Sequence, residues 1–264
     1  MWDEKKCKKH VFDCVEVYKS SKDLVKTLEK CLEASEALEY EYLPLWFYKN
    51  KVMSGSVISV TKGVPDDFAN SQAFEDVMLL SRIIKDLEDM KEHVSGALVV
   101  MPFYMTTFND GMAAELIKIF LKHVEEHYKD RIIFLVRACE KVSMETKLKL
   151  SLLRKAGRAL ILDSNYQKAP PEQFQGFHAY GCDMYGQTFT EDQLFVLLNK
   201  YADYYDGQNQ KTFLTGIDTK SILMAAVAAG FTYLSGKAVS KPYKTLKEAS
   251  FLTVEDIYIN DAGK

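Results

Sequence analysis

From about residue 37 the hydrophobic pattern alternates between a short period and a helical one. Residues 39–48 and 51–61 are two apolar-rich runs flanking Lys49-Asn50, the pattern of a β-hairpin. Phe74, Val77, Met78, Ile83, Ile84, Leu87 and Met90 then recur at helical spacing across 72–91. Ala97 to Phe103 and Arg131 to Arg137 are apolar strands on either side of a helix capped by Asp110 and running through His127. Ser143 can cap a helix that Gly157 ends, and Ala159 to Asp163 follows as a buried strand carrying a carboxylate at its end. A short helix at Pro170-Pro171 leads to a weak strand near 177–183. Thr190 with Gln193 forms a capping box for a helix to about Tyr205. Strands at 212–217 and 231–235 enclose a helix at 219–229, and a second capping box, Thr245 with Glu248, predicts a terminal helix.

About eight strands, mostly joined by helices and opened by a hairpin, predict an α/β fold. The expected form is a modified TIM-like (β/α)8 barrel with an antiparallel opening strand. A doubly wound open sheet is the alternative, but no GxGxxG phosphate turn supports it. Residues 1–36 lie outside the repeat. They are expected to form an N-terminal extension and an amphipathic helix at Lys22 to Glu33 covering the barrel bottom, with the barrel at 37–264. A remnant of an upstream domain is the other reading of residues 1–20.

At 264 residues, 47% hydrophobic and 27% charged, the chain has the composition of a globular domain. A net charge of −3 with mixed signs gives no basic face for a nucleic-acid polymer, and Lys5, Lys6, Lys8 and Lys9 form only a short terminal run. No apolar stretch reaches the roughly 18 residues of a membrane span. Five cysteines (Cys7, Cys14, Cys31, Cys139, Cys182) without ligand spacing, and no targeting segment, fit a cytoplasmic protein with reduced thiols. His123 and His127 are separated by Val-Glu-Glu, which does not meet the HExxH zinc pattern. No GxSxG elbow occurs. His178 reads as a lone core histidine rather than the partner of Cys182.

Four segments in order, spanning roughly residues 20–245, resemble the EAL domain of cyclic-di-GMP phosphodiesterases. "LEKCLEASEALEYEYLPLWFYKNKVMSG" is similar to the family's helix, Tyr-Gln-Pro strand and turn, and "LRKAGRALILDS" to its helix end and Asp-Asp strand. "FLTGIDT" is similar to its Glu-Gly-Val-Glu-Thr segment, and "AAGFTYLSGKAVSKP" to its closing strand. The literal Glu36-Ala37-Leu38 is coincidental, since Tyr40 stands where an Arg is required.

The resemblance implies a bacterial signalling domain whose enzymes use two Mg²⁺ or Mn²⁺ ions at the barrel mouth. Carried over by position, the signature Glu falls on Ser56, its Arg on Val60, the metal-binding Asn near Met101 and the next Glu near Phe134. The first Asp is kept as Asp163 and the second becomes Ser164. The Lys falls on Gly181 beside Asp183, the later Glu on Thr215 with Asp218 behind it, the late Gln on Ser235 and the first-strand Gln on Leu43. With one residual metal ligand, Asp163, the expectation is a catalytically inactive, degenerate domain without a cofactor. It would serve as a protein-interaction module through an apolar patch at Phe103, Tyr104 and Met105, near Phe134 and Tyr166. One alternative is a cyclic-di-GMP receptor that binds without hydrolysis, with Lys237 as a candidate phosphate contact. The other is a residual phosphodiesterase using Mg²⁺ or Mn²⁺. The protein partner is unidentified, and a homodimer is a candidate assembly.

Overall fold

The computed structural model describes residues 22–62, 71–90, 96–139, 143–164 and 176–257. The expectations placed on Lys5 to Lys9, Cys7, Cys14, residues 11–18, Tyr166 and Pro170-Pro171 lie outside these residues.

The chain runs α1 (Lys22–Ala37), β1 (Glu39–Phe47), β2 (Val52–Lys62), α2 (Gln72–Asp89), β3 (Leu98–Tyr104), α3 (Gly111–His127), β4 (Ile132–Arg137), α4 (Met144–Ala156), β5 (Ala159–Asp163), β6 (Ala179–Asp183), α5 (Glu191–Asp206), β7 (Thr212–Thr215), α6 (Lys220–Ala228), β8 (Tyr233–Ser235) and β9 (Ser250–Phe251). Strands β2 to β8 pair in parallel in chain order, and β1 closes the barrel by pairing antiparallel with both β2 and β8. The expected α/β barrel with an antiparallel opening strand is the observed architecture.

Local signals explain most element boundaries. Lys51 takes a left-handed φ of 56° to finish the turn between β1 and β2. Side-chain oxygens of Asp110 and Ser143 accept from the backbone N–H groups of Ala113 and Thr146, so each satisfies an otherwise unpaired donor. Thr190 and Gln193 form the complete reciprocal box at the start of α5.

Two expectations are corrected. Thr245 does not open a helix; the chain runs to β9, which pairs with Val52 and Met53. There Leu252 N–H donates to Lys51 O at 2.9 Å, and the buried Trp46 Nε1 donates to Leu252 O at 2.9 Å. Those tertiary bonds outweigh a local capping preference. Helix α1 does not plug the barrel bottom. It lies against α2 in the outer layer, burying Leu24, Leu28, Cys31 and Ala34, with Glu36 paired to Lys85 and Arg82.

Alternation along the strands divides the core in two. Leu45, Val57, Val100, Leu135, Ile161, Ala179 and Phe213 fill the barrel interior. Trp46, Ile58, Met101, Phe134, Leu160, Leu162, Leu214 and Leu234 face outward under the helices. Among the described residues no helix is long and apolar enough to cross a membrane.

Candidate functional site

The same alternation decides which side chains reach the mouth, at the C-terminal ends of β2 to β8. The N-terminal end of the inverted β1 lies there too. Met101 and Phe134 do not reach it: both are fully buried in the outer layer, and Phe134 packs where α4 ends at Gly157. Ser56 and Val60 share the face of Ile58, so they also point outward. A one-residue offset moves a strand residue to the other face of the sheet. The inward neighbours are Val57, Val100 and Leu135, followed toward the mouth by Tyr104 on β3 and Arg137 on β4.

Arg137 organises the centre of the mouth. Its Nε donates to Asp163 Oδ2 at 2.8 Å, its Nη2 to Asp183 Oδ2 at 3.0 Å and its Nη1 to Tyr104 Oη at 3.4 Å. A planar guanidinium suits this work because it presents several fixed donors at once. Burial opposes its charge, but Asp163, Tyr104 and Asp183 outweigh that and raise its pKa further. Burial pushes Asp163 up to about 6, with Arg137 pulling the other way. Asp183 is held from behind, since its Oδ1 accepts from Tyr185 N at 3.0 Å.

The remaining positions sort plainly. Ser164, at the second acidic position, turns from the mouth and donates to Gly181 O at 3.1 Å, with Tyr201 Oη 2.7 Å away. Gly181 leaves room for Phe213, whose ring carbon lies 3.0 Å from where a Cβ would stand. Thr215 is buried and donates to Cys182 O at 3.4 Å, and Ser235 is fully buried at the end of β8. Lys237 pairs with Glu41 at 3.0 Å. His178 is exposed, not a core histidine. Its Nδ1 accepts from Leu160 N at 3.1 Å before β6 begins, while Cys182 is buried near that strand's other end.

The expected apolar rim patch is corrected as well. Phe103 and Met105 are buried, Phe103 completely, with ring contacts to Phe108 and Phe134. Of the three, only Tyr104 lines the cleft. That cleft holds about 400 Å³ and carries Glu41, Glu75, Asp76, Asp183 and Asp218 against Arg137 and Lys237. Leu43 contributes an apolar wall. The mouth is polar and acid-rich.

Asp76, beside this cleft, accepts from Tyr104 N at 2.9 Å and from Thr107 Oγ1. Burial raises its pKa to about 7 against those two bonds. A carboxyl whose folded pKa exceeds its unfolded value stabilises most below the unfolded pKa, near 4, and loses that contribution as pH climbs through about 7. Unfolding free energy should therefore fall by about 3 kcal/mol between pH 5 and pH 8. Urea denaturation at both pH values should show Asp76→Asn losing this fall, while the smaller one from the raised Asp163 persists. An unchanged slope in Asp76→Asn contradicts the assignment.

The residues do not fit a pair of divalent ions. Each Mg²⁺ needs about six oxygen donors, several of them carboxylates. Here Asp163 and Asp183 are both committed to a guanidinium. Among the described residues no group of three or more His, Cys, Asp or Glu is arranged to hold a metal.

No family sequence model and no curated protein matches the chain. Solved structures do. The EAL domain of Mycobacterium smegmatis DcpA matches 86% of this chain and 99% of its own length at 11% identity, with a TM-score of 0.57. Bacillus subtilis YkuI, solved with cyclic-di-GMP and calcium, matches over 89% of this chain at 11% identity with a TM-score of 0.64. Vibrio cholerae LapD, a GGDEF–EAL protein bound to cyclic-di-GMP, matches over 81% at 12% identity with a TM-score of 0.57. The chain spans 62% of the YkuI chain and 56% of the LapD chain, so both carry further sequence beyond the shared part. At these identities the likeness establishes architecture, and this chain has the barrel fold of the EAL domains.

Proposed function

We propose that this chain is a non-hydrolysing EAL-like barrel that serves cyclic-di-GMP signalling as a protein-interaction module. The observation that carries the reading is the ion pairing of Arg137 with Asp163 and Asp183. Two carboxylates that end adjacent strands at the barrel mouth are both paired with a single cation of the protein's own. Held by a guanidinium, these two carboxylates are not open to the metal ions that would activate a water against a phosphodiester. Purified protein with Mg²⁺ or Mn²⁺ should leave cyclic-di-GMP intact when the mixture is resolved by chromatography. Turnover that disappears in Asp163→Ala would overturn the proposal.

A non-hydrolytic receptor is the second reading. The cleft favours it by offering Arg137 and Lys237 as cations, with Tyr104 and the exposed Tyr185 as aromatic surfaces. The surplus of carboxylates weighs against it, because a ligand with two phosphates meets more negative charge than positive. Calorimetry at micromolar protein separates the two readings. A saturable heat that Lys237→Glu abolishes supports the receptor, and no heat supports the protein-interaction module. For a protein partner the outer face of α5, where Phe195, Val196 and Tyr204 are exposed, replaces the buried Phe103 and Met105.

A further inference from the structure

Eight large hydrophobic side chains are exposed among the described residues, and five of them sit on two helices: Met144 and Leu148 on α4, and Phe195, Val196 and Tyr204 on α5. Apolar side chains gathered on one outer face mark a contact surface, whereas single ones scattered over a barrel do not. Neither face is covered within the chain, since α4 packs against α3 and α5 against α6 through their other sides. Their charges are opposite. Helix α4 holds Lys147, Lys149, Arg154 and Lys155 against one acid, Glu145, whereas α5 holds Glu191, Asp192, Asp203 and Asp206 against one base, Lys200. Lys149 is already paired with Glu145, so the charge that α4 turns outward is basic. The outer stripe of α4 runs Met144, Leu148, Ser151, Lys155, and that of α5 runs Asp192, Val196, Asn199, Asp203. Both stripes step by four, three and four residues, the spacing that keeps side chains on one helix face. Val196, Asn199 and Asp203 line a surface groove together with Phe195 and Tyr204.

We infer that the α4 face of one copy of this chain seats in the α5 groove of a second copy, with the two helices running parallel. In that register Leu148 meets Val196, Ser151 meets Asn199 and Lys155 meets Asp203, so apolar, polar and charged positions are each matched. The inference rests on the protein-interaction reading above and deepens it by naming the occupant of the α5 face. The two faces are different surfaces, so the contact is heterologous. A pair still offers one free α4 face and one free α5 groove, and further copies add as concentration rises. Opposite charge orients the encounter, and the apolar side chains at its centre hold it.

The test is sedimentation velocity of the full chain without nucleotide, from low to high micromolar protein. Wild type should shift from monomer to dimer and larger species, and the shift should weaken as salt is raised. Leu148→Asp, which spoils only the α4 face, and Val196→Asp, which spoils only the α5 groove, should each stay monomeric alone. Mixed in equal amounts they should form a pair and stop there, because one sound α4 face then meets one sound α5 groove and no further sound face remains. Lys155→Glu should weaken wild-type association several-fold, and adding Asp203→Lys to the same chain should restore it. Both apolar positions are exposed, so the variants should keep the wild-type melting temperature; should either not fold, Leu148→Ser or Val196→Ser takes its place. A wild type that stays monomeric throughout leaves these faces to some other protein and overturns the inference. So does a Leu148→Asp chain that associates as wild type does, which would place the contact elsewhere, or a mixture that never pairs. Because association is read without nucleotide, a failure here is distinct from a failure of the proposed function, which is read as cyclic-di-GMP turnover by wild type.

Discussion

Gly216→Ala is expected to cost about 4 kcal/mol or more of unfolding free energy, the range reached only when a substitution cannot be absorbed. Gly216 has φ +71°, where an L side chain is strained by about 1–2 kcal/mol before any contact is counted. The added methyl would also stand 2.2 Å from Tyr185 N and 2.8 Å from Met184 C, both backbone atoms of the turn after β6. Relief requires that turn to move, and it carries the N–H that holds Asp183 against Arg137. The loss should thus come with a disturbed mouth. Urea denaturation measures the first, and a shifted Arg137 Nε–H resonance in a ¹⁵N spectrum reports the second. A variant as stable as wild type would show that the β6 and β7 turns do not interlock at this glycine.

Phe103→Ala is expected to cost about 3–5 kcal/mol, the range for deleting a buried aromatic ring. Phe103 is fully buried, with its ring 5.3 Å from that of Phe108 and 6.0 Å from that of Phe134. The cavity would open beneath the segment joining β3 to α3, where neighbouring rings can collapse only in part. Tyr104→Ala, one residue along on the opposite face, removes a cleft wall and should cost far less. Comparing the two by thermal melting distinguishes a core residue from a surface one. Equal small losses would return Phe103 to the surface and revive the rim as a docking patch.

Much of this architecture is legible in the chain because its signals are local. The turn near Lys49-Asn50, the caps at Asp110, Ser143 and Thr190 and the buried run before Asp163 each act within a few residues, so the order of strands and helices follows from them. Facing is harder. Ser56, Met101 and Phe134 sit on the expected strands but on the wrong side, because matching segments fixes a strand without fixing its parity to one residue. The alternation in Arg131 to Arg137 could have corrected this: with Leu135 inside the barrel, Arg137 must also point inward. Glu41 escaped notice because β1 is inverted and brings its first residues, not its last, to the mouth. The meeting of Arg137 with Asp163 and Asp183 joins residues 26 and 46 positions apart, and only closure of the barrel reveals it. The terminal segment misled for the opposite reason. Its capping box is locally sound, but Trp46 and Lys51 hold the following residues extended.

The central claim is that a protein cation, not a metal pair, sits between the carboxylates at the mouth. Anomalous scattering from crystals soaked in millimolar Mn²⁺ addresses it directly. The account predicts Arg137 in density between Asp163 and Asp183, with no manganese peak within coordination distance of either. Two ordered ions beside Asp163, with the Arg137 side chain displaced from the mouth, would contradict it.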